Sequence, residues 1–131
     1  MNSGVFINLT NHPLREWKTD QISAAYLLLG DIKYQRIEDF TFPNINPYWS
    51  KKEIFEEVCN TVKKLENLYK EEDLVIIHIM GEMTFVHQFV SFVSFTKPRW
   101  RLVASTTEKI PYTNDTGKKR FRFNFCRFRS Y

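Results

Sequence analysis

Glycine is scarce in this chain, with 4 in 131 residues. No run matches the Gly-rich phosphate loops that open a dinucleotide fold or a P-loop, which argues against NAD binding and ATP hydrolysis. Cysteine is scarcer still. Cys59 falls on a helical face and Cys126 on a strand pattern, so free thiols in a reducing compartment are expected rather than a disulfide. The three histidines are scattered and, with two cysteines, show no metal-ligand spacing. No metal and no cofactor is expected. No apolar run approaches the roughly 18 residues that span a bilayer. Met1-Asn2-Ser3-Gly4 has neither the charged nor the apolar region of a secretory signal. The expectation is a cytoplasmic protein without a membrane partner.

What the chain does have is apolar and aromatic mass. Hydrophobic residues make up 43% and aromatics 16%, enough for one domain with a real core and too much for disorder. The net charge of +4 suits an anionic ligand without demanding one.

The organising stretch is 73–84, where Leu74-Val75-Ile76-Ile77-His78-Ile79 breaks off at Met80-Gly81-Glu82 and a helical pattern follows. A run apolar at nearly every position reads as a central strand buried on both faces of a parallel sheet. An earlier strand over 5–9 ends in the polar turn Thr10-Asn11-His12-Pro13, and a helix follows with Thr19-Asp20-Gln21 as cap and first turn and Gly30 as stop. A second strand is expected within 32–42. Ser50-Lys51-Lys52-Glu53 is a capping box, and Ile54, Val58, Val62, Leu65 and Leu68 behind it share one helical face. Phe85, Val86, Phe89, Val90, Phe92 and Val93 recur at helical steps despite their β-forming character. A fourth strand over 101–104 should end at Ser105-Thr106-Thr107-Glu108. A hairpin should then close the chain, with Phe121, Phe123 and Phe125 packed on the core and Arg120, Arg122 and Asn124 in water.

Alternating strands and helices imply right-handed crossovers and a mostly parallel sheet. The expected architecture is a single α/β domain over 1–131, a three-layer sandwich of strand order 2-1-3-4 with the C-terminal hairpin at an edge. Ligands of such folds bind beyond the carboxyl ends of the strands, at the switch point between strands 1 and 3. Three strand ends meet there: Asn8, Thr10, Asn11 and His12; Gly81, Glu82 and Thr84; Ser105, Thr106, Thr107 and Glu108. Hydroxyls and amides suit ribose and phosphodiester groups, Gly81 permits close approach, and His12, as a histidine, is the acid–base candidate. Each has a plainer role open to it. Thr10 and Thr84 fit helix caps, Glu82 a first-turn acid favoured by the dipole, His12 a turn, and His78 a satisfied group within the core. The basic stripe of Lys118, Lys119, Arg120, Arg122, Arg127 and Arg129 is either a solvated edge strand or a nucleic-acid contact.

Three segments, 8–13, 80–84 and 103–108, resemble the small stand-alone accessory proteins of type III CRISPR systems, which are similar to the CRISPR-associated Rossmann-fold (CARF) domain. The resemblance implies a Rossmann-like homodimer that binds cyclic oligoadenylate, such as cyclic tetra-adenylate, across its twofold. It further implies a ring nuclease that needs no metal, in which the ribose 2′-hydroxyl attacks the adjacent phosphate. On that resemblance Asn11, His12 and Thr106 are the catalytic candidates. Asn8, Thr10, Gly81, Glu82, Thr84, Ser105, Thr107 and Glu108 would bind the ligand, and no long nucleic acid would be a partner. The absence of Lys or Arg from the three rims departs from a strong phosphate site. From another class stands a non-enzymatic nucleic-acid or protein-interaction module built on the basic hairpin.

Overall fold

The computed structural model describes residues 2–131. Its strands are β1 (Ser3–Leu9), β2 (Tyr34–Asp39), β3 (Leu74–Ile79), β4 (Arg101–Thr113) and β5 (Lys119–Ser130). Its helices are α1 (Thr19–Leu29), α2 (Lys51–Tyr69) and α3 (Met83–Thr96), with a short 3-10 turn at Leu14–Glu16. The five strands form one sheet in the order β2-β1-β3-β4-β5. The first four run parallel and β5 returns antiparallel to β4. The expected order 2-1-3-4 is present, and the hairpin at the edge is formed by β4 itself with β5 rather than by two further strands.

β1 and β3 read as continuous apolar runs because both of their faces are covered. Val5, Ile7 and Leu9 of β1 and Val75, Ile77 and Ile79 of β3 pack against Val58 and Leu65 of α2 and Phe85, Phe89 and Val93 of α3. The residues between them, Phe6 and Ile76, join Val103, Phe128 and α1's Ala25 and Leu29 on the opposite face. The period of two then carries Asn8, His78 and Ser105 onto the α1 face, one step beyond Phe6, Ile76 and Val103. That step lies at the carboxyl edge of the sheet.

The capping box of α2 is formed. Ser50 Oγ accepts from the Glu53 N–H, and the Glu53 carboxylate accepts from the Ser50 N–H. α1 begins without such a cap: Lys18 stands at its N-cap position and Thr19 is already helical. α1 does end at Gly30, whose φ of 67° is the left-handed turn that glycine takes without a Cβ penalty. β2 is shorter than the expected stretch, although the Phe40 N–H still donates to Asn8 O at 2.9 Å.

Two expectations about the C-terminal third fail. β4 does not stop at Ala104. It runs on through Thr113, pairing beyond Val103 with β5 alone, so β4 and β5 form a two-stranded arm about 30 Å long past the sheet. Residues 105–108 are therefore mid-strand and not a strand end. Phe121 and Phe123 also do not reach the core, being 50% and 66% exposed. A bulge explains the difference near the base of the arm. Thr106 pairs with Arg127 and Thr107 with Phe125, which leaves Cys126 as the extra residue. Phe125 and Phe128 thereby share a face, ring centroids 5.0 Å apart, and Phe128 enters the core in place of the outer phenylalanines.

Candidate functional site

A cavity of about 470 Å³ opens at the carboxyl edge on the α1 side. β1 and its turn contribute Thr10, Asn11 and His12. The 3-10 turn and α1 contribute Glu16, Trp17 and Gln21. β3 contributes His78, Met80 and Gly81, and β4 contributes Ser105 and Thr107. The walls hold no Lys or Arg and one carboxylate, Glu16. A neutral, polar cavity of this kind recognises its ligand by hydrogen bonds more than by net charge.

Behind the cavity a polar row crosses the sheet, one residue from each parallel strand: Asp39 of β2, Asn8 of β1, His78 of β3 and Ser105 of β4. Register explains the row. Asn8 is the partner of Asp39 on one side and of His78 on the other, and Ser105 lies two residues beyond Val103, His78's own partner. Asn8 Nδ2 donates to Asp39 Oδ1 at 2.9 Å and to the His12 carbonyl at 2.7 Å. Both are pure acceptors, so the amide orientation is fixed and Oδ1 faces the other way. Oδ1 accepts from the Thr10 hydroxyl at 2.9 Å and lies 3.2 Å from His78 Nδ1. His78 Nδ1 must therefore carry the proton. Its Nε2, 3.0 Å from Ser105 Oγ, is left with a lone pair that takes the Ser105 hydrogen.

His78 is only 3% exposed. Burial, followed by the nearby His12, pushes its pKa down to about 4, so the ring is neutral at physiological pH. Trp17, Phe6 and Phe128 surround it, with ring centroids 5.6, 6.3 and 5.2 Å away. These aromatics shield the ring from water.

The remaining sequence candidates divide. Asn11 and Thr107 line the cavity. Thr10 is buried and accepts from the His12 N–H at 3.1 Å, so it shapes the turn. The His12 side chain is exposed beside Glu16, its Nδ1 3.8 Å from that carboxylate. The backbone carbonyl of His12 is the more connected group, accepting from Asn8 and from Trp17 Nε1. Gly81 is required by packing, since a Cβ there would overlap the Phe42 ring. Glu82 caps α3, accepting from the Thr84 hydroxyl and from the N–H groups of Thr84 and Phe85, and those bonds hold its carboxyl below the usual range. Thr84 is thus absorbed in the cap.

Thr106 and Glu108 are not brought to the site. They alternate with Ser105 and Thr107 and face the other side of β4, where the Thr106 hydroxyl donates to Arg127 O at 3.2 Å. Sequence reasoning treated His78 as a satisfied core group, which its burial and two partners bear out, and passed over Trp17 and Gln21. His78 carried one signal: a lone polar residue at the last turn-facing step of an apolar strand. Among the described residues no group of three or more His, Cys, Asp or Glu is placed to hold a metal ion. Among them too, no helix is long and apolar enough to cross a membrane.

A family model described as the uncharacterized protein MJ1673 family matches residues 4–129. The chain belongs to the MJ1673 family. The match runs from the start of β1 to the end of β5 and takes in the whole polar row and the arm. No curated protein matches the chain.

Proposed function

We propose that this MJ1673-family chain is a Rossmann-like, metal-independent ring nuclease that binds cyclic oligoadenylate, with the cavity at the β1–β3 switch point as its site. The observation that carries the reading is the Asp39–Asn8–His78–Ser105 row, which ends in a hydroxyl at the cavity wall. Hydrolytic or transesterifying chemistry on a phosphodiester needs an aligned attack and a place for one proton, and much of the rest is positioning. Asn11, Thr107 and Gln21 offer the amides and hydroxyl that ribose and phosphate use. Trp17 offers a ring face or edge to a base.

A homodimer fits α3. This helix carries no Asp, Glu, Lys or Arg from Met83 to Thr96. Met83 and Phe95 are 84% and 88% exposed on it. An uncharged stripe meets its own copy without like-charge repulsion. Met80 and Gly81 line both the cavity and a neighbouring groove along α3, so a dimer through this helix sets two sites side by side.

The arm favours a second reading. β5 carries Lys119, Arg120, Arg122, Arg127 and Arg129 and no acidic residue. Arg122 stacks over Tyr112 at 4.4 Å and Lys109 over Phe121 at 3.9 Å. Cations interleaved with exposed rings bind single-stranded nucleic acid. Incubation with cyclic tetra-adenylate, with and without EDTA, separates the two. Linear products ending in a cyclic phosphate, lost in Asn11→Ala/Thr107→Ala and kept in Arg120→Ser/Arg122→Ser, are expected. An unchanged ring with no shift in melting temperature, alongside arginine-dependent binding of single strands, would favour the arm instead.

A further inference from the structure

The tautomer forced on His78 has a consequence for Ser105. Asn8 Nδ2 is held by two acceptors, so its oxygen Oδ1 faces His78 Nδ1 at 3.2 Å, where two lone pairs would repel; Nδ1 therefore donates and Nε2 accepts. Ser105 Oγ has two acceptors in reach, His78 Nε2 at 3.0 Å and the Met80 sulfur at 3.2 Å. A thioether accepts weakly, so the hydrogen goes to nitrogen. The Oγ lone pairs are then left facing the cavity, and the hydroxyl acts there as an acceptor.

Resting on the ring-nuclease reading, we infer that Ser105 is the catalytic residue that receives the proton of the attacking 2′-hydroxyl, with His78 the positioning residue behind it. In the step, the 2′-oxygen bonds to phosphorus and the bond from phosphorus to the 5′-oxygen breaks. The 2′-hydroxyl proton passes to Ser105 Oγ as the Ser105 hydrogen passes to His78 Nε2; the departing 5′-oxygen takes a proton from water, and the hydroxide left takes the proton back from His78 through Ser105. The products are a 5′-hydroxyl and a 2′,3′-cyclic phosphate, and no oxidant, reductant or metal enters the balance. His78 becomes an imidazolium whose Nδ1–H rests on Asn8 Oδ1. Asp39, bonded to the far side of the Asn8 amide, polarises that oxygen toward the new charge.

The test has two arms. In the free wild-type protein, nitrogen-15 NMR of the histidines at neutral pH should show His78 protonated on Nδ1 alone. A ring protonated on Nε2 overturns the inference before any substrate is added. With cyclic tetra-adenylate, Ser105→Ala should bind the ring as wild type does and open it about a hundredfold more slowly. An active wild type with an equally active Ser105→Ala overturns the relay and leaves the nuclease reading standing. A wild type that does not open the ring removes both.

Discussion

Asn8 Oδ1 lies 3.2 Å from His78 Nδ1, joining the ends of two neighbouring strands from positions 70 residues apart in sequence. The same amide bonds Asp39, the His12 carbonyl and Thr10. Asn8→Ala is expected to leave the buried His78 Nδ1 without a partner, while Asp39 keeps the Leu14 N–H, and to cost about 1–3 kcal/mol. Urea unfolding measures this, and a change below about 0.5 kcal/mol would show that the row does not hold the site together.

His78 also predicts acid sensitivity, with the sign fixed by linkage. Its pKa is about 4 folded against 6.5 for an ordinary histidine. Above pH 6.5 both states are neutral and His78 contributes nothing to the pH dependence. As pH falls from 6.5 toward 4, the unfolded chain takes a proton that the folded chain refuses, so stability drops. The loss should reach about 2 kcal/mol at pH 5 and about 3 kcal/mol near pH 4. The held-down carboxyls of Asp73 and Glu82 add their own loss only at lower pH. Unfolding curves of wild type and His78→Gln across this window should diverge, the variant being the flatter.

Gly81 and Phe42 meet where β3 turns into α3. A methyl group on Gly81 would overlap the Phe42 ring, which itself packs on Phe85 at 5.2 Å between centroids. Gly81→Ala should cost about 1–3 kcal/mol through overpacking. Phe42→Leu should cost less in the Gly81→Ala background than in wild type, because the smaller side chain relieves the overlap. Additive losses in the double-mutant cycle would place the strain elsewhere.

The exposed Met83, on the groove of α3 that Met80 and Gly81 also line, predicts an oligomeric state. Met83→Glu puts a charge on that groove while leaving the monomer's core untouched, since the side chain is 84% exposed. Sedimentation should show a wild-type dimer and a monomeric variant of nearly unchanged folding stability. A monomeric wild type would remove α3 as the dimer face.

Ser50→Ala should lose the α2 cap bond and about 1 kcal/mol. Thermal unfolding reads this, and no loss would mean that α2's start is held by packing alone.

Much of the sheet was legible because burial on both faces leaves a continuous apolar run. Residues 74–79 could hardly be anything but a central strand, and the capping box at Ser50 and Glu53 announced α2. That the amide and hydroxyl residues Asn8, Thr10, Asn11, Ser105 and Thr107 lie near one edge was legible from the element order, although Ser105 and Thr107 prove to be mid-strand. The order of apolar runs and helical repeats in the sequence by itself determined an α/β chain whose parallel strands gather polar residues at one edge. Tertiary structure alone decided which of those residues face one another. Alternation put Thr106 and Glu108 on the far side of β4, a bulge at Cys126 let Phe128 rather than Phe123 enter the core, and register set Asp39, Asn8, His78 and Ser105 in one row. Pairing register is a property of two strands together, set by contacts between segments far apart in the chain, and neither strand carries it alone.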